Sequence, residues 1–300
     1  MNTVNYCWCT YRTWSFQVLE GLLNLPYAKC AAILTTEDCI YDFSSFEAKG
    51  IPVIKASPKE IFDSPEFLNL SAHNRLDCLF FYGWSWLVPA SVFNEILSVT
   101  LHPGKLPNDK GGSPLQNQIR NGETWSYANI IEIVEKLDSG RVFLKERFSL
   151  EGDISDVWGR MVSVGVAATR KFLKQISQKE LSPQVQEIGG TIYKRVTPKQ
   201  AEVDLARQSA LEIYNIIRAH NETDPNTYVK QANYCGPGFK IIFSKSTLEN
   251  PGLPIFELKK LNFEDFYEVS QKTNNGEACL SLQAADGQNL YVTQFRVSSV

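Results

Sequence analysis

The chain has 300 residues, 43% of them hydrophobic and 21% charged, with a net charge of −3 at pH 7. That length can bury two unequal cores, and the composition is that of a globular protein. No apolar run reaches the roughly 18 residues of a bilayer span, residues 1–5 lack the basic start and apolar stretch of an export signal, and the acidic balance disfavours a nucleic-acid partner. The expectation is a cytoplasmic protein with neither a membrane nor a nucleic acid as partner, although a small anionic ligand needs only a few well-placed cations.

From residue 4 to about 150, short β-rich runs alternate with helical stretches, the pattern of βαβ units around a mostly parallel sheet. Residues 4–9 read as a strand, 14–24 as a helix, 30–35 as a second strand and 51–54 as a short third. Residues 77–82 are almost continuously apolar, as a strand covered on both faces is, and Gly83 ends them. Residues 97–101 form a fifth strand that delivers His102 at its carboxyl end, the edge where ligands bind in open α/β sheets. Residues 114–120 suit a helix with Ser113 as N-cap and Pro114 at the first position. Residues 127–134 and 141–148 are two further strands, and 155–175 is an amphipathic helix capped by Ser155.

A polar connector at 178–190 marks a boundary, so we expect an N-terminal Rossmann-like α/β domain over 1–180 and a smaller helix-plus-β domain over 181–300. In the second domain, residues 202–219 read as a helix, 240–244 and 255–263 as strands, and 277–283 with 288–297 as a hairpin turned by Asp286-Gly287. Seven cysteines, at 7, 9, 30, 39, 78, 235 and 279, contain no CxxC pair, and most read as buried thiols, Cys7-Trp8-Cys9 included. No metal is expected.

The chemistry concentrates around one imidazole. His102, one of three histidines, is followed by Pro103-Gly104-Lys105-Leu106-Pro107 and then Gly111-Gly112-Ser113-Pro114, with Leu137-Asp138-Ser139-Gly140 further on. An imidazole at a strand end and an acid in a turn are parts for proton transfer near neutral pH. Read alone, His102 is structural and Asp138 bonds its own turn.

Together these residues resemble the folate-dependent formyltransferases, the group containing methionyl-tRNA, glycinamide ribonucleotide and amino-sugar N-formyltransferases. Members share a His-Pro/Ala-Ser/Gly-x-Leu-Pro stretch, a Gly-x-x-Pro and an Asp-x-Gly, matched here by His102–Pro107, Gly111–Pro114 and Asp138–Gly140. The run from Phe81 to Pro89 is similar to the loop lining the family's folate pocket, which implies Tyr82, Gly83, Trp84, Trp86, Leu87 and Val88 as folate contacts. The likeness is good to about Arg195 and thin beyond. It implies transfer of formyl from 10-formyltetrahydrofolate to an amine, with His102 stabilising the oxyanion or taking a proton and Asp138 orienting it, and it requires no metal. The family carries Asn two residues before the histidine, whereas this chain has Thr100; either Thr100 donates to the oxyanion, or Asn117 substitutes, or the protein is a catalytically impaired folate-binding homologue.

The wording of residues 111–119 is similar to the amino-sugar members. The implied substrate is a nucleotide-linked amino sugar, a 4-amino-4,6-dideoxyhexose destined for surface polysaccharide such as O-antigen, with methionyl-tRNA as the alternative acceptor. Arg12, Lys105, Gly111, Gly112, Ser113, Lys194 and Arg195 are the implied substrate contacts; Arg12, Lys194 and Arg195 are suited to a diphosphate, though each reads alone as a solvated charge. A homodimer through the second domain stays open.

Overall fold

The computed structural model describes residues 2–73, 75–221, 231–236, 239–262 and 264–299. They divide into two compact units that interleave along the chain: residues 1–111, 126–149 and 158–192 in the first, and residues 112–125, 150–157 and 193–300 in the second.

The first unit runs β1 (Val4–Cys9), α1 (Thr13–Glu20), β2 (Ala28–Thr35), α2 (Ser44–Glu47), β3 (Val53–Lys55), α3 (Pro65–His73), β4 (Cys78–Phe80), α4 (Ala90–Phe93), β5 (Ser98–Pro103) and the short β6 (Lys110–Gly111). After α5 (Pro114–Arg120) of the second unit come β7 (Trp125–Glu132), β8 (Val142–Ser149), α6 (Ile154–Gln178) and the short β9 (Ile192–Tyr193). Its seven-stranded sheet has the order β3-β2-β1-β4-β5-β7-β8. β1 to β5 pair in parallel, and β7 joins β5 antiparallel with His102 opposite Asn129. This is the mostly parallel α/β sheet expected, with His102 one residue inside the end of its strand rather than beyond it.

Alternation along β1 explains why both faces are covered. Cys7 and Cys9 share one face with Leu34, Phe62, Leu79 and Phe81, while Trp8 packs on Phe80 and Tyr82 on the other. Cys7, Cys9, Cys30, Cys39, Cys78 and Cys279 are buried free thiols, as read from the sequence, but Cys235 is exposed.

In the second unit, α7 (Ala210–Ala219) and α8 (Asp265–Asn274) cover a five-stranded sheet made of β10 (Asn233–Gly236), β11 (Phe239–Thr247), β12 (Ile255–Glu257), β13 (Cys279–Gln283) and β14 (Asn289–Ser299), in the order β10-β11-β14-β13-β12. Ile213, Ile217, Phe243, Phe266, Leu280, Val292 and Phe295 form its core. The Asp286-Gly287 hairpin is present, with Leu282 opposite Leu290 and Gly287 at φ 77°.

Several local expectations are corrected. The helix expected over 202–219 starts only at Ala210, because Ser209 and Glu212 form a capping box: Ser209 Oγ accepts from the Glu212 amide, and Glu212 accepts from the Ser209 amide at 2.8 Å. The long helix starts at Ile154, not after Ser155, because Asp156 reaches back to the Asp153 amide at 3.0 Å and makes Asp153 the cap. Ser113 does not cap α5; it sits in the left-handed region (φ 48°) and its Oγ accepts from the Val196 amide. The strand expected over 255–263 is Ile255–Glu257 followed by a 3-10 turn, and Phe263 lies outside the described residues. α8 was absent from the sequence reading.

Candidate active site

In the first unit, β5 carries Thr100 and His102 on one face, two residues apart. The His102 imidazole is only 6% exposed and both of its nitrogens face protein: Nε2 lies 2.7 Å from the Asp109 carbonyl and Nδ1 lies 3.5 Å from Asp138 Oδ2. A carbonyl only accepts, so Nε2 carries the hydrogen. In the neutral ring, Nδ1 is then a lone pair facing the carboxylate. The 3.5 Å gap is longer than a hydrogen bond.

Asp138 is held independently. Its Oδ2 accepts the Gly111 amide at 2.8 Å, and its backbone is in the left-handed region (φ 46°), where Asp is among the few tolerated residues. Asp138 lies 36 positions after His102; β7 pairs antiparallel with β5 and runs on to Glu132 opposite Val99, and the turn that follows it returns Asp138 to the imidazole.

Asn129 is a site residue that the sequence reading missed. Opposite His102 on β7 and fully buried, it donates from Nδ2 to the carbonyls of His102 (2.9 Å) and Gly104 (2.7 Å), gripping the His-Pro-Gly segment from both sides. The signal was an amide inside the otherwise apolar run Ala128-Asn129-Ile130-Ile131, which a strand tolerates only when its hydrogen bonds are needed.

A cavity of about 670 Å³ opens beside the pair, lined by Phe81, Trp84, Trp86, Leu87, Val88, Thr100, Ile131, Leu137 and Asp138 among others. Trp84, Trp86, Leu87 and Val88 of the expected folate loop therefore share one cavity with Thr100 and Asp138, and the Trp84 Nε1 is buried with no hydrogen-bond partner. Tyr82 does not line it: fully buried, it hydrogen-bonds Thr169 at 3.0 Å on the opposite side of the strand. Gly83, at φ 72°, packs against the Arg12 stem and Trp14. His102 stands behind Asp138 rather than on the cavity wall.

Thr100 lines the cavity, but its single hydroxyl proton goes to the Phe81 carbonyl at 2.8 Å. That hydrogen bond leaves the hydroxyl free only to accept. Arg12 lays its guanidinium over the Tyr11 ring at 4.5 Å, and the Lys105 amide donates to Asp109 Oδ2. Gly111 belongs to this site through its bond to Asp138.

The remaining expected contacts lie in the second unit. Gly112 packs against Arg195, and Lys194 and Arg195 are exposed. Asn117 spends its amide hydrogens on the carbonyls of Gly112, Ser113 and Lys194, so it is a brace for that loop. Among the described residues no helix is long and apolar enough to cross a membrane, and no group of three metal-ligating side chains converges.

No family model matches the chain. A methionyl-tRNA formyltransferase of Sulfurihydrogenibium is 26% identical over 186 residues, 60% of this chain, and the match spans 58% of that relative's length. A methionyl-tRNA formyltransferase of Lactobacillus delbrueckii subsp. bulgaricus is 26% identical over 229 residues, 71% of this chain and 70% of that protein. The N-formyltransferase of Helicobacter canadensis, solved with folinic acid and dTDP-3-aminofucose, shares the fold at a TM-score of 0.64 with 17% identity, covering 98% of this chain and 100% of that one.

Proposed function

We propose that the chain is a formyltransferase, as the proteins it is similar to are, and that it transfers a formyl group from 10-formyltetrahydrofolate to the amine of a nucleotide-linked amino sugar, a 4-amino-4,6-dideoxyhexose used in surface glycan. The observation that carries this reading is the His102–Asp138 pair set against a cavity walled by Trp84, Trp86, Leu87 and Val88.

That cavity fits a folate. Its volume is within the range of small-ligand pockets, its walls are aromatic and aliphatic as a flat pterin requires, and the buried Trp84 Nε1 offers an unused donor. When bound there, 10-formyltetrahydrofolate supplies the formyl carbon. The chain's own residues handle the proton. Asp138, 13% exposed and on the cavity wall, meets the incoming amine and accepts its proton; His102 Nδ1 stands behind to share it, with its tautomer fixed by the Asp109 carbonyl. Gly111 keeps Oδ2 aimed at the ring while the proton moves.

A sugar acceptor is favoured by the net charge of −3 and by the end-to-end fold match with the Helicobacter canadensis enzyme. Methionyl-tRNA is the second reading, favoured by the names of the sequence relatives. The deciding experiment offers 10-formyltetrahydrofolate with a panel of uridine, thymidine and guanosine diphosphate sugars bearing 3- or 4-amines, and with methionyl-tRNA, reading each acceptor by mass spectrometry. A formyl increment on a 4-amino sugar is expected. An increment confined to methionyl-tRNA replaces the substrate, one confined to a 3-amino sugar moves the amine, and none on any acceptor removes the activity. His102→Ala and Asp138→Asn are each expected to abolish turnover while folinic acid still binds; a native rate in either removes that residue from the mechanism.

A further inference from the structure

The segment from Gln184 to Thr191 closes the polar connector expected over 178–190, and it is tied to the first unit at several points, one of them the turn that carries Asp138. The Gln184 backbone exchanges both of its hydrogen bonds with Val142 at 2.8 Å. Gln186 Nε2 donates to the Asp138 carbonyl at 3.0 Å and to the Gly140 carbonyl at 2.7 Å, spanning the Asp138-Ser139-Gly140 turn. Two acceptor carbonyls at that end of the amide settle which atom is nitrogen.

The other side of the turn is held by Lys110. This buried lysine places Nζ 3.2 Å from Ser139 Oγ and 3.5 Å from the Gly189 carbonyl, and its own amide donates to Thr191 at 3.0 Å. Gly190, at φ 93°, presses its backbone on the Pro107 carbonyl, where any side chain would collide. The strap is not kept in place by apolar burial, because Val185 and Ile188 point to solvent at 82% and 101% exposure. Its contacts are polar and converge on the site.

We propose that the strap 184–191 is the positioning element of this active site and that Gln186 is its positioning residue, acting through Asp138. The turn closes on its own hydrogen bond, the Ser139 amide donating to the Lys136 carbonyl at 3.2 Å, and Gln186 adds a hold on the carbonyls that follow. Fixing the carbonyls of Asp138 and Gly140 fixes the Cα–Cβ vector, and so keeps Oδ2 on the Gly111 amide and toward His102 Nδ1. A carboxylate misplaced by an ångström costs rate well before it costs binding. The catalytic part of the proposal rests on the formyl-transfer reading above; the structural part does not.

The test uses the full chain and reads the Gly111 amide, whose exchange reports whether Oδ2 is in place. Gln186→Leu removes the donor, and Gln186→Glu removes it while keeping the shape. Both are expected to speed Gly111 hydrogen exchange by about tenfold or more and to lower kcat by about as much, with KM for 10-formyltetrahydrofolate within about threefold. Gln186→Lys restores a donor and is expected to recover most of both. Val185→Ser, on the exposed face of the same strap, is expected to change neither, and Asp138→Ala sets the upper limit of exchange. Gly111 exchange within about twofold of native in both the Leu and Glu variants, with melting temperature retained, overturns the proposal. Faster exchange with unchanged kcat overturns its catalytic part. If the native chain formylates no acceptor, the activity reading falls while exchange still decides the strap.

Discussion

His102 Nε2 approaches the Asp109 carbonyl to 2.7 Å only because residue 104 has no side chain. A Cβ on Gly104 would stand 2.9 Å from both that carbonyl and the imidazole nitrogen. Neither neighbour is a flexible side-chain end, so one must move, and the tautomer lock breaks with it. Gly104→Ala is therefore expected to lower kcat by about 10- to 100-fold while folinic acid affinity stays near native. Steady-state kinetics with calorimetry checks this, and native kcat would mean that the Asp109 contact does not govern the ring.

Thr100 gives a second discriminating variant. Its hydroxyl proton is committed to the Phe81 carbonyl, so Thr100→Val is expected to cost about 1 kcal/mol of stability and less than about tenfold in rate. Loss of a donor to the reaction centre would instead cost about 100- to 1,000-fold. Parallel denaturation and rate measurements separate the two outcomes.

His220 makes the second unit sensitive to acid. It is buried at the end of α7 with neither nitrogen hydrogen-bonded, and burial, followed by the charge of Arg120, pushes its pKa down to about 4 from 6.5. The unfolded chain thus binds a proton between pH 6.5 and 4 that the folded chain refuses. Stability is complete above about 6.5 and falls as pH drops toward 4, by about 3 kcal/mol in all. His220→Phe is expected to flatten the unfolding free energy across this window, as urea titrations at pH 7 and 5 measure; an unchanged slope would place the acid sensitivity elsewhere.

Thiol chemistry supplies a fold-level check. Burial pushes the Cys7 thiol up to about 12 and raises those of Cys9, Cys30 and Cys78, whereas Cys235 is exposed. Native protein with a thiol reagent at pH 8 is expected to label Cys235 rapidly and these four only after unfolding. Rapid labelling of any of the four would contradict the packing of β1, β2 and β4.

Much of this arrangement was legible before any coordinates. The apolar runs located the main strands, although the one expected over 77–82 spans only Cys78–Phe80 and so ends before Gly83, and the Asp286-Gly287 hairpin and Pro114 start were read from turn and cap chemistry. What escaped includes α3 and α8; in α8 the inward positions Phe266, Val269, Ser270 and Thr273 are half hydroxyl-bearing, so its periodicity is faint. Ser113 misled because its left-handed backbone rules out a capping geometry that its side chain would otherwise favour.

At the site itself, local sequence determined the strand that presents His102 and the turn that holds Asp138, because period and turn preference are set by neighbours within a few residues. Tertiary structure alone decided that Asn129 grips His102, that Thr100 spends its proton on Phe81, and that Gln186 spans the Asp138 turn. Those partners lie 27, 19 and 48 positions apart. Strand order and the return of the chain across the sheet set such distances, and no short-range pattern encodes them.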